Sequence, residues 1–334
     1  MKLIIGLVIF CTLGTVGVNA QRIAPQDLKG LRLREDSMKK YAMKIIRDSL
    51  SVDRLKADSI FTRMFVRALK TPHSMQYPFD SLITISKLCP PDSSFRIYTW
   101  QLVINEGVTR QHGAIQMRTD DGSLKLFPLI DKSDVTKNMS DTIGNNKGWM
   151  GAVYYKIITK KAGLSTYYTL LGYDENRSLS TKKMIEVLTF SNDEPVFGNR
   201  IFSFEEDSVF KSARSRYIME FKKGSGARLQ YDPEMDMIIV EHLVSETNEP
   251  EKKWTYIPDG DYEAFKWKGG KWIHVEKVFN YTTPENQPPM PSPVRGNNGE
   301  LDENKLKVTE MEEVETPASP PPPAKPAPKK KGKG

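Results

Sequence analysis

The stretch VYYKIITKKAGLSTYYTLLGY, residues 153–173, decides the fold. Two runs of tyrosine, isoleucine, threonine and leucine flank a polar break that contains Lys160, Lys161 and Gly163, the pattern of two strands joined by a tight turn. The pattern recurs on both sides. FRIYTWQLVI (95–104) is a run of aromatic and β-branched residues, and AIQMRTDDGSLKLFPL (114–129) reads as a hairpin around Asp121-Gly122. KMIEVLTFSNDEPVFGNRIFSF (183–204) and RYIMEFKKGSGARLQYDPEMDMIIVEHL (216–243) read as further strand pairs. In AFKWKGGKWIHVEKV (264–278) the tip is Gly269-Gly270; alternation puts Phe265 with Trp267 and Trp272 with His274. IPDGDY (257–262) reads as a proline-initiated turn.

The turns near Asp121, Lys161, Gly224 and Gly269 are about forty, sixty-three and forty-five residues apart, so no fixed repeat announces a propeller. The expectation is a mainly β chain whose antiparallel domain, residues 95–283, is a sandwich or an irregular open barrel.

Upstream the period changes to that of helices. Met38, Tyr41, Ala42, Ile45, Ile46 and Leu50 share one face of residues 31–50; Leu55, Ile60, Phe61, Met64, Phe65, Ala68 and Leu69 share one face of 53–70. With Ser51 or Asp53 as a cap and Thr71-Pro72 as a stop, residues 21–94 are expected to be a helical hairpin and connector.

The first twenty residues, MKLIIGLVIFCTLGTVGVNA, have one lysine, a short apolar run and small residues at Val18 and Ala20. They are expected to be a signal peptide cleaved after Ala20, which makes the protein secreted or periplasmic, with no transmembrane segment after its removal. Cys89 is then the only cysteine of the mature chain, which excludes an intramolecular disulfide, and it reads as an ordinary thiol. Residues 284–334 form a proline-rich tail expected to be disordered. Its stretch 300–315 holds seven acidic and two basic residues, and 316–334 holds five lysines and no acid. With Lys2 and those two blocks removed from the net charge of +7, residues 21–299 keep +6.

No HExxH, GxSxG, P-loop or dinucleotide fingerprint is present, and His73, His112, His242 and His274 sit in separate segments without metal-ligand spacing. No catalytic, cofactor-binding or metal-binding residue and no cofactor is therefore assigned. Two acidic clusters alternate, Asp232, Glu234 and Asp236, then Asp259, Asp261 and Glu263. Pro233 and Gly260 favour solvated turns over a Ca²⁺ or acid/base site. Lysines mark the strand ends: Lys160-Lys161, Lys222-Lys223, and Lys266, Lys268 and Lys271. Gathered on one rim they would attract an anionic partner; scattered they protect strand edges.

YYTLLGYDENRSLSTKKMIEVLTF, EPVFG, RYIMEFKKGSGARLQYD, IIVEHL and YIPDGDYEAF, taken in order over about residues 150–280, resemble an uncharacterised secreted protein family of Bacteroidetes. The resemblance implies an exported Gram-negative protein and brings no activity and no catalytic residue.

The expected function is an exported, non-enzymatic binding or envelope-associated module. Its partner would be an anionic envelope component, a lipid headgroup or a polysaccharide, met through lysine-rich turns and tail. No nucleic acid is expected, since no nucleic-acid motif is present. The competing expectation is a secreted hydrolase using carboxylates such as Asp232 or Asp259 with His242.

Overall fold

A computed structural model describes residues 22–105, 107–209 and 211–279. The expected signal peptide and tail lie outside the described residues.

Pro25, pre-set for the first helical position, opens α1 (Pro25–Arg47), and α2 (Ser51–Leu69) returns beside it. Leu50 stands at the N-cap of α2 and no side chain caps it, so the expected capping role of Ser51 or Asp53 is not made; Asp53 lies in the first turn, where a negative charge suits the helix dipole.

The remaining elements form three sheets. The first has the order β1 (Ser86–Leu88), β2 (Phe95–Asn105), β3 (Val108–Met117), β4 (Lys125–Ile130). The second runs β5 (Gly144–Asn145), β9 (Glu194–Phe197), β8 (Ser180–Ser191), β7 (Ser165–Asp174), β6 (Val153–Ala162), and β12 (Arg216–Lys222) pairs along β8. The third runs β11 (Lys211–Arg214), β10 (Phe202–Phe204), β16 (Lys271–Val275), β15 (Tyr256–Lys268), β14 (Met237–Ser245), β13 (Leu229–Asp232).

Side-chain alternation stacks these sheets under the helices. On β2, Tyr98, Trp100 and Leu102 face Met38, Ala42, Phe61 and Phe65 of the helices, while Phe95 and Ile97 face the second sheet. On β7 and β8, Leu170, Met184 and Leu188 pack towards the first sheet; Leu171, Ile185 and Val187 pack towards Ile238, Phe265 and Trp272 of the third. Strands buried on both faces are apolar nearly throughout, which is why 95–104 reads as a continuous run. A hydrogen bond crosses each interface: Trp100 Nε1 to Asp58 Oδ1 (2.8 Å), the Tyr154 amide to Thr99 Oγ1 (3.0 Å), and Trp272 Nε1 to Thr169 Oγ1 (3.0 Å).

The β6–β7 hairpin forms as its sequence indicates, as do those at Gly122 and at Gly269-Gly270, whose φ values of 58° and 84° suit a two-residue turn. Three readings differ. Residues 216–243 are not one hairpin: β12 pairs with β8, and the chain crosses past Gly224 to begin the third sheet at β13. Residues 257–262 are not a turn but part of the thirteen-residue β15, where they form a bulge. Finally, β10 and β16 pair in parallel, whereas the other pairings between the described strands are antiparallel.

Candidate functional site

The bulge in β15 builds the first candidate. Leu243 pairs with Pro258 and Glu241 with Tyr262, so His242 alone faces Asp259, Gly260 and Asp261. Gly260, at φ +93°, supplies the conformation that the extra residues require. Asp259 is thereby brought to His242, with 2.8 Å between Oδ2 and Nδ1. Further along the same strand Glu263 lies 3.8 Å from His242 Nε2 and 3.1 Å from His274 Nε2, and His274 Nδ1 is 2.8 Å from Asp207 Oδ1. The result is a chain of alternating carboxylates and imidazoles. His242, Glu263 and His274 line an open cleft of about 580 Å³ that Tyr217 of β12 and Tyr256 of β15 also border.

Burial opposes charging of His274, but hydrogen bonds and Coulombic attraction from Glu263 and Asp207 outweigh it and raise its pKa above the ordinary imidazole value. Burial would raise Asp259; its bonds to His242 and to the Asp261 amide hold it below the usual carboxylate range. Burial, with Glu263 and Asp207 nearby, raises the Tyr217 phenol.

His274 is only 2 % exposed and both ring nitrogens are engaged, so it fixes Glu263 and Asp207 and does not shuttle protons with solvent. His242 is the solvent-facing imidazole of the pair. Among the described residues no hydroxyl or thiol side chain is hydrogen-bonded to either ring, and no three histidine, cysteine, aspartate or glutamate side chains converge to hold a metal.

Of the carboxylates singled out with His242, the structure brings in Asp259 and leaves out Asp232. Asp232 Oδ1 accepts the amides of Glu234 (2.8 Å) and Met235 (3.0 Å), closing the β13–β14 turn. Asp236 takes the Tyr231 hydroxyl at 2.5 Å and pairs with Lys160. That cluster is a turn. Asp207 and the partnership of Glu263 with His274 escape the sequence reading, because alternation gives the face of a residue but not the neighbouring strand's register. His112 joins Asp58 (3.0 Å) beneath the helices, and Cys89 is a free, half-buried thiol.

Under the cleft, Arg216 forms a fully buried ion pair with Glu186, which also accepts the Tyr154 hydroxyl; Trp149 Nε1 donates to the same hydroxyl at 2.7 Å. Arg216 Nη1 donates to the Met139 and Thr142 carbonyls. A buried charge needs this many partners. The glutamate inside the apolar run MIEVL was its one visible trace in the sequence.

Charge distribution supplies the second candidate. The strand-end lysines are largely neutralised: Lys160 by Asp236, Lys222 by Glu246 (2.7 Å), Lys223 by Glu175 (2.8 Å), Lys268 by Glu206 (2.9 Å) and Lys271 by Glu205 (3.5 Å). The two helices instead carry eleven lysines and arginines against five acids, a net +6, equal to the whole net charge of residues 21–299. Two of those acids, Glu35 and Asp58, are buried, whereas every cation except Arg54 is exposed. Among the described residues only Lys44 of the eleven has an ion-pair partner, Asp48 at 3.3 Å.

No protein-family model matches this chain, and no curated protein and no solved structure matches it either.

Proposed function

We propose that this chain is an exported, non-enzymatic module of a Gram-negative cell envelope that holds to an anionic envelope component through its two-helix layer. The observation that carries the reading is the charge balance: α1 and α2 hold a net +6, with ten of their eleven cations exposed, and the rest of residues 21–299 sums to zero. A lysine or arginine near an anionic surface contributes about 1 kcal/mol, so even a few acting together hold a protein there at physiological ionic strength. Export is supported by the pattern of residues 1–20 and by the resemblance to a secreted Bacteroidetes family. The anionic partner stays as expected from the sequence, but the surface that meets it moves from the strand-end lysines to the helices.

The test is binding of the mature chain to dextran sulfate and to phosphatidylglycerol vesicles, with neutral dextran and phosphatidylcholine as controls. Reversal of Lys39, Lys40, Lys44 and Arg47 to glutamate is expected to abolish binding to both anionic probes. Unchanged binding by that variant, or equal binding to the neutral controls, would overturn the reading.

His242, which lines the open cleft and contacts Asp259 through Nδ1, favours a second reading, a hydrolase in which His242 acts as the base on water and Asp259 orients it. Hydrolysis of a panel of esters and glycosides that is lost in His242→Ala would support it. No turnover by the wild type would remove it.

A further inference from the structure

We infer that the turn joining the two helices, together with Val108 at the neighbouring start of β3, forms an apolar tip that enters the interfacial layer of an anionic lipid bilayer. This rests on the envelope reading above and narrows its partner from any anionic component to a lipid surface.

The tip is assembled by Arg54. Its Nη1 donates to the carbonyls of Asp48 (2.6 Å) and Ser49 (2.9 Å) in the interhelical turn. Its Nε donates to the Val103 carbonyl (2.6 Å) and its Nη2 to the Ile104 carbonyl (3.2 Å) at the end of β2. One guanidinium thus ties the interhelical turn and the end of β2 to the same end of the molecule and holds their backbones in place. At that end Leu50 is 63 % and Val52 71 % exposed, and Ile46, Leu55 and Val108 are exposed with them. Single apolar residues on a surface are ordinary, but Leu50 in the interhelical turn, Ile46, Val52 and Leu55 in the helix ends that flank it and Val108 at the start of β3 form a patch with a use.

The surrounding charge selects the occupant. Arg47 and Lys56 are exposed beside the apolar residues and Lys39 and Lys40 continue the basic face on α1; Asp48 pairs with Lys44 and Asp53 is exposed in the first turn of α2, so cations outnumber acids there. Apolar side chains at a tip, bordered by long cationic side chains whose stems can lie along the acyl boundary, match an interface of hydrocarbon under anionic headgroups. A polysaccharide offers the charge without the hydrocarbon. A second copy of this chain would bring one net-positive tip against another.

The experiment uses the mature chain with Leu50→Ser and Val52→Ser together, which remove the apolar side chains and leave the charge unchanged; both positions are exposed, and an unchanged melting temperature confirms that the variant is folded. Phosphatidylglycerol vesicles and dextran sulfate are the two probes. Losing two interfacial apolar side chains is expected to weaken vesicle binding about tenfold or more while leaving dextran sulfate binding within about twofold. Equal vesicle binding by variant and wild type would overturn the inference and leave the envelope reading standing. An equal loss on both probes would also overturn it, since the loss would then not require hydrocarbon. A wild type that binds dextran sulfate but not vesicles points to a polysaccharide partner and ends the lipid assignment. A wild type that binds neither removes the envelope reading as well. Conversion of a wild-type dimer to a monomer by the variant, without change in vesicle binding, would assign the tip to self-association.

Discussion

The two-helix layer and the three-sheet stack keep their charges in opposite ways. In the stack, acids and bases balance in number and several pair across strands: Arg216 with Glu186 inside, and Lys222, Lys223, Lys268 and Lys271 each with a glutamate outside. In the helices the two buried acids serve structure. Glu35 accepts the Tyr77 hydroxyl and the Ser81 amide, and Asp58 accepts Trp100 Nε1 and contacts His112, while the cations face water with little to neutralise them. The lesson is that a count of lysines does not locate a basic surface. What locates it is where the acids have been spent.

The largest effect to expect from breaking this contrast lies in the stack. Arg216→Ala strands Glu186 in the interior and is expected to cost about 3–5 kcal/mol in urea denaturation; a loss below about 1 kcal/mol would mean that the pair is not buried in solution. Next comes Asp58→Ala, which leaves the buried Trp100 indole N–H without its acceptor, at about 1–3 kcal/mol by the same measurement.

A smaller effect concerns His274. Its folded pKa lies above the unfolded value of about 6.5, so the native state binds the proton more tightly. Its stabilising contribution is complete below the unfolded value and is lost as pH rises through the folded one. Thermal midpoints are therefore expected to fall as pH is raised from about 6 towards 8, with a shallower fall in His274→Asn. An identical slope in the two proteins would show that another group sets the pH dependence.

The smallest stability effects belong to the surface. Charge reversal at Lys39, Lys40, Lys44 and Arg47 should lower the thermal midpoint modestly, since it breaks the exposed Lys44–Asp48 pair and puts negative charge in the last turn of α1, and should abolish binding to anionic probes. Lys268→Met should change neither: its pair with Glu206 is solvent-exposed and well screened.

Much of this architecture was legible in the sequence. The periodicities of 31–50 and 53–70 marked both helices, and Asp121-Gly122 and Gly269-Gly270 marked their hairpins, because local chemistry fixes both kinds of feature. What stayed hidden depended on partners distant in the chain. Asp259-Gly260 has the composition of a turn; it becomes a bulge because β14 runs alongside and holds β15 extended on both sides of it. Asp259 with His242 was foreseeable as a pairing of types, whereas Asp207 with His274 spans 67 residues and arises from the parallel alignment of β10 with β16. The lysines at strand ends were visible, but the glutamates that neutralise them were not, since those come from other strands and loops.

The most direct measurement is hydrogen–deuterium exchange of residues 21–334 with and without phosphatidylglycerol vesicles. Protection confined to the interhelical turn, the adjoining turns of α1 and α2 and the start of β3 at Val108 is the expected result. Protection in β12, β14 and β15 around His242 with none in the helices would contradict it, and would place the binding face on the cleft.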